Sequence, residues 1–114
     1  ETALDHMNEL GLPVAELMFQ DAVSFLTDDN GTPADLDKAF SFALKSAGMD
    51  FDEAKLLVGT MYLLGDGTRK NEEFAMVWHL KATLSSNSKV RDSAKHMLEQ
   101  NHFYTDRLRE FGLD

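Results

Sequence analysis

The sequence predicts an all-α fold, an α-α superhelix (solenoid) in which about five to six helices stack as antiparallel pairs. The first observation behind this is the spacing of apolar residues. Within the second unit, apolar residues recur at the three- and four-residue spacing of a helix that buries one face, namely Ala54, Val58, Met61 and Tyr62, and then Ala75, Val77, Trp78 and Ala82. The second observation is an internal repeat. Residues 26–47 align without a gap on residues 62–83 at an offset of 36 residues, and a repeat of that length is typical of stacked helix pairs.

The two aligned segments agree in the residues that a helix pair needs. Five of their 22 positions are identical, namely Gly31/Gly67, Thr32/Thr68, Ala39/Ala75, Leu44/Leu80 and Lys45/Lys81. Further pairs keep side-chain size or capping chemistry, namely Leu26/Tyr62, Asp35/Asn71, Phe40/Met76 and Phe42/Trp78. Each segment is therefore predicted to belong to the same kind of helix pair.

Local signals predict where the two helices of the second unit begin and end. Asp50, with Glu53 three residues later, is predicted to cap the first helix, and Asn71 the second, because a short polar side chain accepts hydrogen bonds from free N–H groups. Between the helices lie Gly65 and Gly67, which tolerate positive φ where the chain turns back.

The whole chain, residues 1–114, is predicted to be one repeat domain. Its length equals three units of 36 residues plus six, close to the minimum at which stacked pairs bury a continuous core. Its predicted parts are an N-terminal helix in residues 1–13, a first repeat in 14–48, a second repeat in 49–85 and a degenerate C-terminal cap in 86–114. The cap is predicted to hold a helix from Ser88 to Gln100 and a last amphipathic turn or two marked by Tyr104, Leu108 and Phe111.

Composition narrows the classes of function. The chain has no cysteine, which excludes disulfides and thiolate metal sites and leaves the compartment open among cytoplasm, periplasm and cell exterior. Its longest mostly apolar run, Leu56 to Leu64, is far shorter than the roughly 20 residues that span a bilayer, so no membrane span is predicted. The chain begins at Glu1 without an initiator Met, which predicts a processed product or an excised piece of a longer protein.

The net charge of -9 is concentrated in the N-terminal half. Residues 1–53 hold twelve acids and two bases, giving -10, whereas residues 54–114 hold eight acids and nine bases, giving +1. An acidic surface repels phosphate backbones, so nucleic acid is not expected as a partner. The same charge favours a basic protein or peptide.

The second unit resembles the Sel1-like repeat, a relative of the tetratricopeptide repeat. The residues that carry the resemblance are Ala54, Val58-Gly59, Tyr62, Gly65-Asp66-Gly67, Asn71, Ala75, Trp78 and Lys81-Ala82-Thr83. The match is clear for residues 35–83 and partial for 18–34 and 88–100. Within 18–34, Val23 stands where the pattern has a helix-packing glycine, and Asp29 stands where it has the first loop glycine. The resemblance implies a non-catalytic scaffold or adaptor that binds other proteins, with no cofactor.

Each residue of this pattern has a physical reason. Gly59 is expected to let two helices approach closely, while Tyr62 and Trp78 fill the space between successive pairs. Ala75 and Ala82 are expected to be small because a neighbouring backbone crosses there. These roles are structural, and none of them involves chemistry.

Three sequence features raise the possibility of chemistry, and each lacks the residues it would require. The acidic run Asp28-Asp29-Asn30-Gly31 has Leu26 where a calcium loop needs a carboxylate. The four histidines, at positions 6, 79, 96 and 102, never share the four-residue spacing of a metal pair on one helix. Ser86-x-x-Lys89 matches the nucleophile motif of lactam-processing enzymes, but no Ser-Asp-Asn or Lys-Thr-Gly accompanies it. No metal site is predicted, and an enzyme is the weaker alternative.

In related repeats the first helix of each pair lines the concave, ligand-binding side. Applied to this chain, that rule predicts a partner-binding face at Gln20, Ser24, Thr27, Leu56, Thr60 and Leu63, continued by Asp92, His96 and Glu99. Leu56 and Leu63 are apolar where a solvated face would be polar, and they could form a docking patch for a peptide. Alternatively, the N-terminal segment covers them, or a second copy of the chain does so in a structural homo-oligomer.

Overall fold

The computed structural model describes residues 14–26 and 35–112. Six helices form these ranges: α1 (Val14–Leu26), α2 (Leu36–Gly48), α3 (Asp52–Leu64), α4 (Glu72–Ala82), α5 (Ser88–Gln100) and α6 (His102–Glu110). The described ranges contain no strand, which confirms the all-α prediction. The helix predicted in residues 1–13, the run Asp28 to Gly31 and the predicted surface residue Thr27 lie outside the described residues.

The helices pack in chain order. Each helix contacts the next, and the contacts within the α1/α2 and α3/α4 pairs are the most extensive. In addition, α3 contacts α5, so the first helices of the second and third pairs lie beside each other. This is the arrangement of stacked helical hairpins. Within the described ranges, no helix is long and apolar enough to cross a membrane.

Four of the described helices begin with an Asp or Asn cap. The caps of α2, α4, α5 and α6 are Asp35, Asn71, Asn87 and Asn101, and the side chain of each accepts a hydrogen bond from a backbone N–H in the first turn. The Asn71 side chain accepts from the Phe74 N–H at 2.9 Å, which confirms the predicted cap. Such a bond satisfies one of the amide groups that has no partner within the helix.

The prediction that Asp50 caps α3 is wrong. The residue before the helix is Phe51, which offers no side-chain acceptor, so Asp50 lies one position too early. Asp50 instead adopts a left-handed backbone with φ of 69° in the turn after α2, and its carboxylate pairs with the Lys55 ammonium. The first turn of α3 carries Asp52 and Glu53, which interact favourably with the positive end of the helix dipole.

The turn between α3 and α4 has the positive φ angles predicted for its glycines. Gly65 ends α3 with φ of 75°, and its N–H donates to the Met61 carbonyl at 2.8 Å. Gly67 has φ of 71° and lies directly against the start of α2. The contact is so close that a Cβ atom on Gly67 would be 2.0 Å from the Leu36 carbonyl oxygen. This turn therefore joins the second pair to the first by backbone contact.

Alanines dominate the surfaces on which the helices meet. Ala54, Ala75 and Ala82, three residues of the repeat pattern, are fully buried. The cluster shared by α1, α2 and α3 consists of Ala22, Ala39, Ala43, Ala47, Ala54, Val58 and Met61. Small side chains allow close approach of helices, and larger ones then fill the edges of the contact.

The half-buried aromatic residues join successive pairs. Tyr62 packs against the cluster of the first two pairs and also against the cluster near the C-terminus. Its ring meets Phe40 and Phe74 edge-on, with centroids 5.1 and 5.4 Å away. Trp78 lies against the first cluster. These aromatic side chains fill space that the alanines leave between helices.

Equivalent positions of the repeat make equivalent contacts. The Lys81 ammonium lies 4.8 Å from the centroid of Trp78, and 36 residues earlier the Lys45 ammonium lies 5.7 Å from the centroid of Phe42. A cation over an aromatic face is a weak but favourable contact. The internal repeat seen in the sequence is thus also a repeat of side-chain geometry.

Replacing Gly67 by alanine should lower the free energy of unfolding by about 3 kcal/mol, the sum of a left-handed penalty and an overpacking penalty. The added methyl group would clash with the Leu36 carbonyl, and the backbone there has positive φ. Gly48→Ala is the matched control, because a Cβ atom at Gly48 meets nothing within 4 Å. Urea denaturation followed by circular dichroism measures both, and similar small effects would contradict the contact.

Candidate functional site

The predicted partner face is open on its two outer helices. Gln20 and Ser24 are exposed on α1, and Asp92, His96 and Glu99 are exposed on α5. Ser24, Thr60 and His96 follow one another at the 36-residue offset, so one row of the repeat crosses all three first helices. The row is polar along its length.

The α3 part of this face is half-buried, because the next pair packs beside it. Leu56 lies against Ala82, Val90 and Ala94 in the contact with α5. Leu63 lies against the cluster of Ala75, Met76, Leu98 and Tyr104. Packing within the chain therefore accounts for part of the apolar character of both leucines, an explanation that the sequence reasoning did not include.

Besides Met49 and Leu64, the exposed large apolar side chains of the second unit lie on α4 and just after it. Phe74, Val77 and Leu84 are 53, 44 and 85% exposed. Phe74 and Val77 are three residues apart and lie on one face of α4 together with Lys81, and Leu84 follows the end of the helix; we name these four residues the α4 stripe. The apolar spacing predicted Val77 on the buried face, and this is wrong, because apolar residues lie on every side of α4 and give no single preferred face.

His79 is fully buried and connects three helices. Its Nδ1 lies 2.9 Å from the Tyr104 hydroxyl on α6, and its Nε2 lies 3.5 Å from the Thr60 hydroxyl on α3. The Thr60 hydroxyl itself donates to the Leu56 carbonyl at 2.9 Å. We assign the neutral tautomer with the proton on Nε2, because the Tyr104 O–H then donates to Nδ1 while Nε2–H faces oxygen atoms of α3.

Gly59 makes the room that the imidazole occupies. A Cβ atom at Gly59 would lie 2.5 Å from both Cδ2 and Nε2 of His79, well inside contact distance. The imidazole cannot move aside easily, since the bond to Tyr104 holds its other edge. The close approach predicted for Gly59 is therefore an approach between the α3 backbone and the His79 ring.

Burial keeps both members of this pair neutral. Burial lowers the pKa of His79, and a hydrogen bond to the Leu56 carbonyl only partly opposes this effect. Burial also raises the pKa of Tyr104, and the nearby Glu72 carboxylate raises it further. The arrangement is a buried neutral hydrogen bond between α4 and α6, which is suited to holding helices in register.

A second polar cluster joins the start of α3 to the α4–α5 loop. The Ser85 hydroxyl donates to Asp52 at 2.5 Å, and the Lys55 ammonium binds Asp52 at 3.0 Å. Burial alone would raise the pKa of Asp52, but the hydrogen bonds from Ser85 and Lys55 outweigh it and hold that pKa below its ordinary value. Burial alone would lower the pKa of Lys55, but the hydrogen bonds and charges of the Asp50 and Asp52 carboxylates outweigh it and hold that pKa above its ordinary value.

The Ser86-x-x-Lys89 motif is next to this cluster in the chain but takes no part in it. Ser86 and Lys89 are both exposed, whereas the adjacent Ser85 is only 6% exposed and also accepts a hydrogen bond from the Asn87 N–H. Across residues 14–26 and 35–112, no group of three or more His, Asp or Glu side chains is placed to hold a metal ion.

Comparison with known proteins finds no relative of this chain: no family model, no curated protein and no solved structure matches it. The Sel1-like resemblance thus stays a prediction that rests on the residues themselves.

A double-mutant cycle tests the Gly59–His79 contact. Gly59→Ala alone should destabilise by about 1 to 3 kcal/mol, because the methyl group overlaps the imidazole. In a His79→Ala background the same change should cost at least about 1 kcal/mol less, since the overlapping ring is gone. Urea denaturation gives the four free energies of unfolding, and strict additivity would refute the contact.

Proposed function

We propose that this chain is a non-catalytic adaptor of the Sel1-like repeat type, which binds a peptide or protein segment across the first helices α1, α3 and α5. The observation that carries the proposal is the polar row of Ser24, Thr60 and His96 at one position of the repeat. Its outer members are exposed and its central member is half-buried. A row recurring on adjacent helices can contact an extended partner at several places.

The charge along these helices favours a partner with a basic end. α1 carries Glu16 and Asp21 and has no basic residue between Val14 and Leu26. α5 is mixed, with Lys89, Arg91 and Lys95 against Asp92 and Glu99. Because complementary charge orients a partner and speeds its encounter, the basic end would lie over α1.

The buried polar groups support a structural rather than a chemical role. His79 is matched by Tyr104, and Ser85 is matched by Asp52 and Asn87, so each of these side chains serves the packing of helices or loops. A nucleophile or general base has to reach a substrate, and buried, mutually bonded groups are poorly placed for that.

Selection from a phage-displayed random peptide library tests the proposed face. Peptides selected on the unmodified chain should bind the Gln20→Arg and His96→Glu variants at least about tenfold more weakly, because both changes alter exposed residues of the face. Val77→Arg, on the α4 stripe, is the matched surface control and should bind normally. Loss of binding only in Val77→Arg would reject the first-helix face.

The α4 stripe specifically favours a second candidate function, a structural homo-oligomer. Phe74 and Val77 are exposed on one side of α4 and Leu84 is exposed just after it, and large apolar side chains on a surface often mark an interface between proteins. In this alternative the stripe of one copy packs against the stripe of another, and the first-helix face stays open.

Sedimentation velocity separates this alternative from a monomeric adaptor. If the stripe forms a dimer, the unmodified chain should sediment as a dimer at about 100 μM and Val77→Asp should sediment as a monomer, since a buried unpaired carboxylate opposes association. Gln20→Asp, which is exposed on α1, is the control and should leave the dimer intact. A monomer in the unmodified chain removes the alternative.

A further inference from the structure

The last helix depends on its docking to the rest of the fold. α6 has nine residues, and a single residue, Asn101, separates it from α5. Isolated helices of this length are not stable in water, so the tertiary contacts of α6 must hold it in its helical form. The buried anchor among these contacts is Tyr104, which is fully enclosed.

Two polar contacts connect α6 to α4, one buried and one nearer the surface. The Tyr104 hydroxyl bonds to His79 Nδ1 at 2.9 Å inside the core. Nearer the surface, Arg107 pairs with Glu73 of α4 at 2.8 Å. An exposed ion pair contributes little to stability, so the position of α6 is set mainly by Tyr104 and the apolar groups around it.

We propose that His79 is a proton-operated joint: the neutral imidazole holds α6 on α4, and its protonation in mildly acidic solution releases α6 while α1 to α4 stay folded. This inference does not depend on the proposed partner face. It concerns the C-terminal pair, where α6 is the outermost described element.

Protonation removes the acceptor on which the joint depends. An imidazolium donates from both nitrogens, so Nδ1–H would point at a hydroxyl that itself donates in the neutral state. The Tyr104 hydroxyl would have to rotate to accept from Nδ1–H, and its own hydrogen would then lose its present acceptor, Nδ1. The positive charge would also be enclosed against Gly59 with little access to water, which is costly without a counter-charge.

Among the described residues, no carboxylate hydrogen-bonds to the imidazole or forms an ion pair with it. From α3 the imidazole meets Gly59, Thr60 and the Leu56 carbonyl, and from α6 it meets Tyr104. On α4 itself, Glu72 pairs with Lys70 and acts on Tyr104, while Glu73 pairs with Arg107. The titratable side chains of α5 are Lys89, Arg91, Asp92, Lys95, His96 and Glu99, all of them exposed except Arg91, which reaches the Ser85 carbonyl.

The direction of the pH effect follows from burial. Burial lowers the pKa of His79 in the docked state, whereas release of α6 returns the ring to water and to a pKa of about 6.5. Docking is therefore fully favourable above about pH 6.5 and weakens as pH falls from there toward the lowered pKa. Over that interval the docking equilibrium changes by about tenfold per pH unit.

Release of α6 would uncover an apolar surface. Tyr104 packs with Ala75, Met76 and Leu98, and Leu63 lies against the same cluster. Once α6 leaves, these side chains face water. Acid would thereby expose apolar groups that α6 covers at neutral pH.

Hydrogen–deuterium exchange of the full chain at pH 7.5 and 5.5, corrected for intrinsic exchange rates, tests the joint. Amides of α6 should lose about tenfold in protection at pH 5.5, whereas amides of α2 and α3 should not. In His79→Gln, which stays neutral at both values, the loss should disappear.

His102 is the necessary control, since it is exposed at the first position of α6. A protonated histidine there would also disfavour the helix, because the N-terminus of a helix is its positive end. His102→Gln should keep the pH response if His79 is the joint. The proposal is overturned if the response persists in His79→Gln, disappears in His102→Gln, or involves all helices together.

Titration of the histidine ring protons by NMR in the unmodified chain decides the case even if His79→Gln does not fold. The pH midpoint of α6 release should coincide with the titration midpoint measured for His79. Coincidence with the midpoint measured for His96 or His102 instead would overturn the proposal.

Discussion

The contact between Gly59, His79 and Tyr104 is the constraint on which the C-terminal half of the fold depends. Gly59 presents bare backbone on α3, which is the condition for the His79 ring of α4 to lie against it. The far edge of that ring then meets Tyr104 of α6 at 2.9 Å. One imidazole thus fixes the spacing within the second pair and the attachment of the third, so a change at any of the three residues is transmitted to the others.

Helix ends were predictable where their chemistry is local. The Asn71 cap and the positive φ of Gly65 and Gly67 depend on the neighbouring few residues, and the sequence indicates them directly. The Asp50 cap failed because a one-residue offset moves a capping side chain out of the helix and into the turn. The His79–Tyr104 bond spans 25 residues, and no local spacing signals it.

The two candidate surfaces differ in what their residues do inside the chain. Leu56 and Leu63 have a packing role, so their apolar character says less about a partner than their sequence pattern suggests. Sequence reasoning could place them on a first-helix face but could not foresee how far α5 and the last helices would cover that face. Phe74 and Val77 are exposed, and neither is among the residues that carry the Sel1-like resemblance.

The buried histidine–tyrosine pair also explains how the α5/α6 pair finds its position on the preceding pair. Alanine contacts such as Ala82 with Val90 and Ala94 attract helices but specify their offset weakly, because small apolar surfaces can slide. A hydrogen bond between two enclosed groups is satisfied at only one offset, and leaving it unmade is costly. The His79–Tyr104 bond supplies that specificity between α4 and α6, and it makes the register sensitive to the protonation of His79.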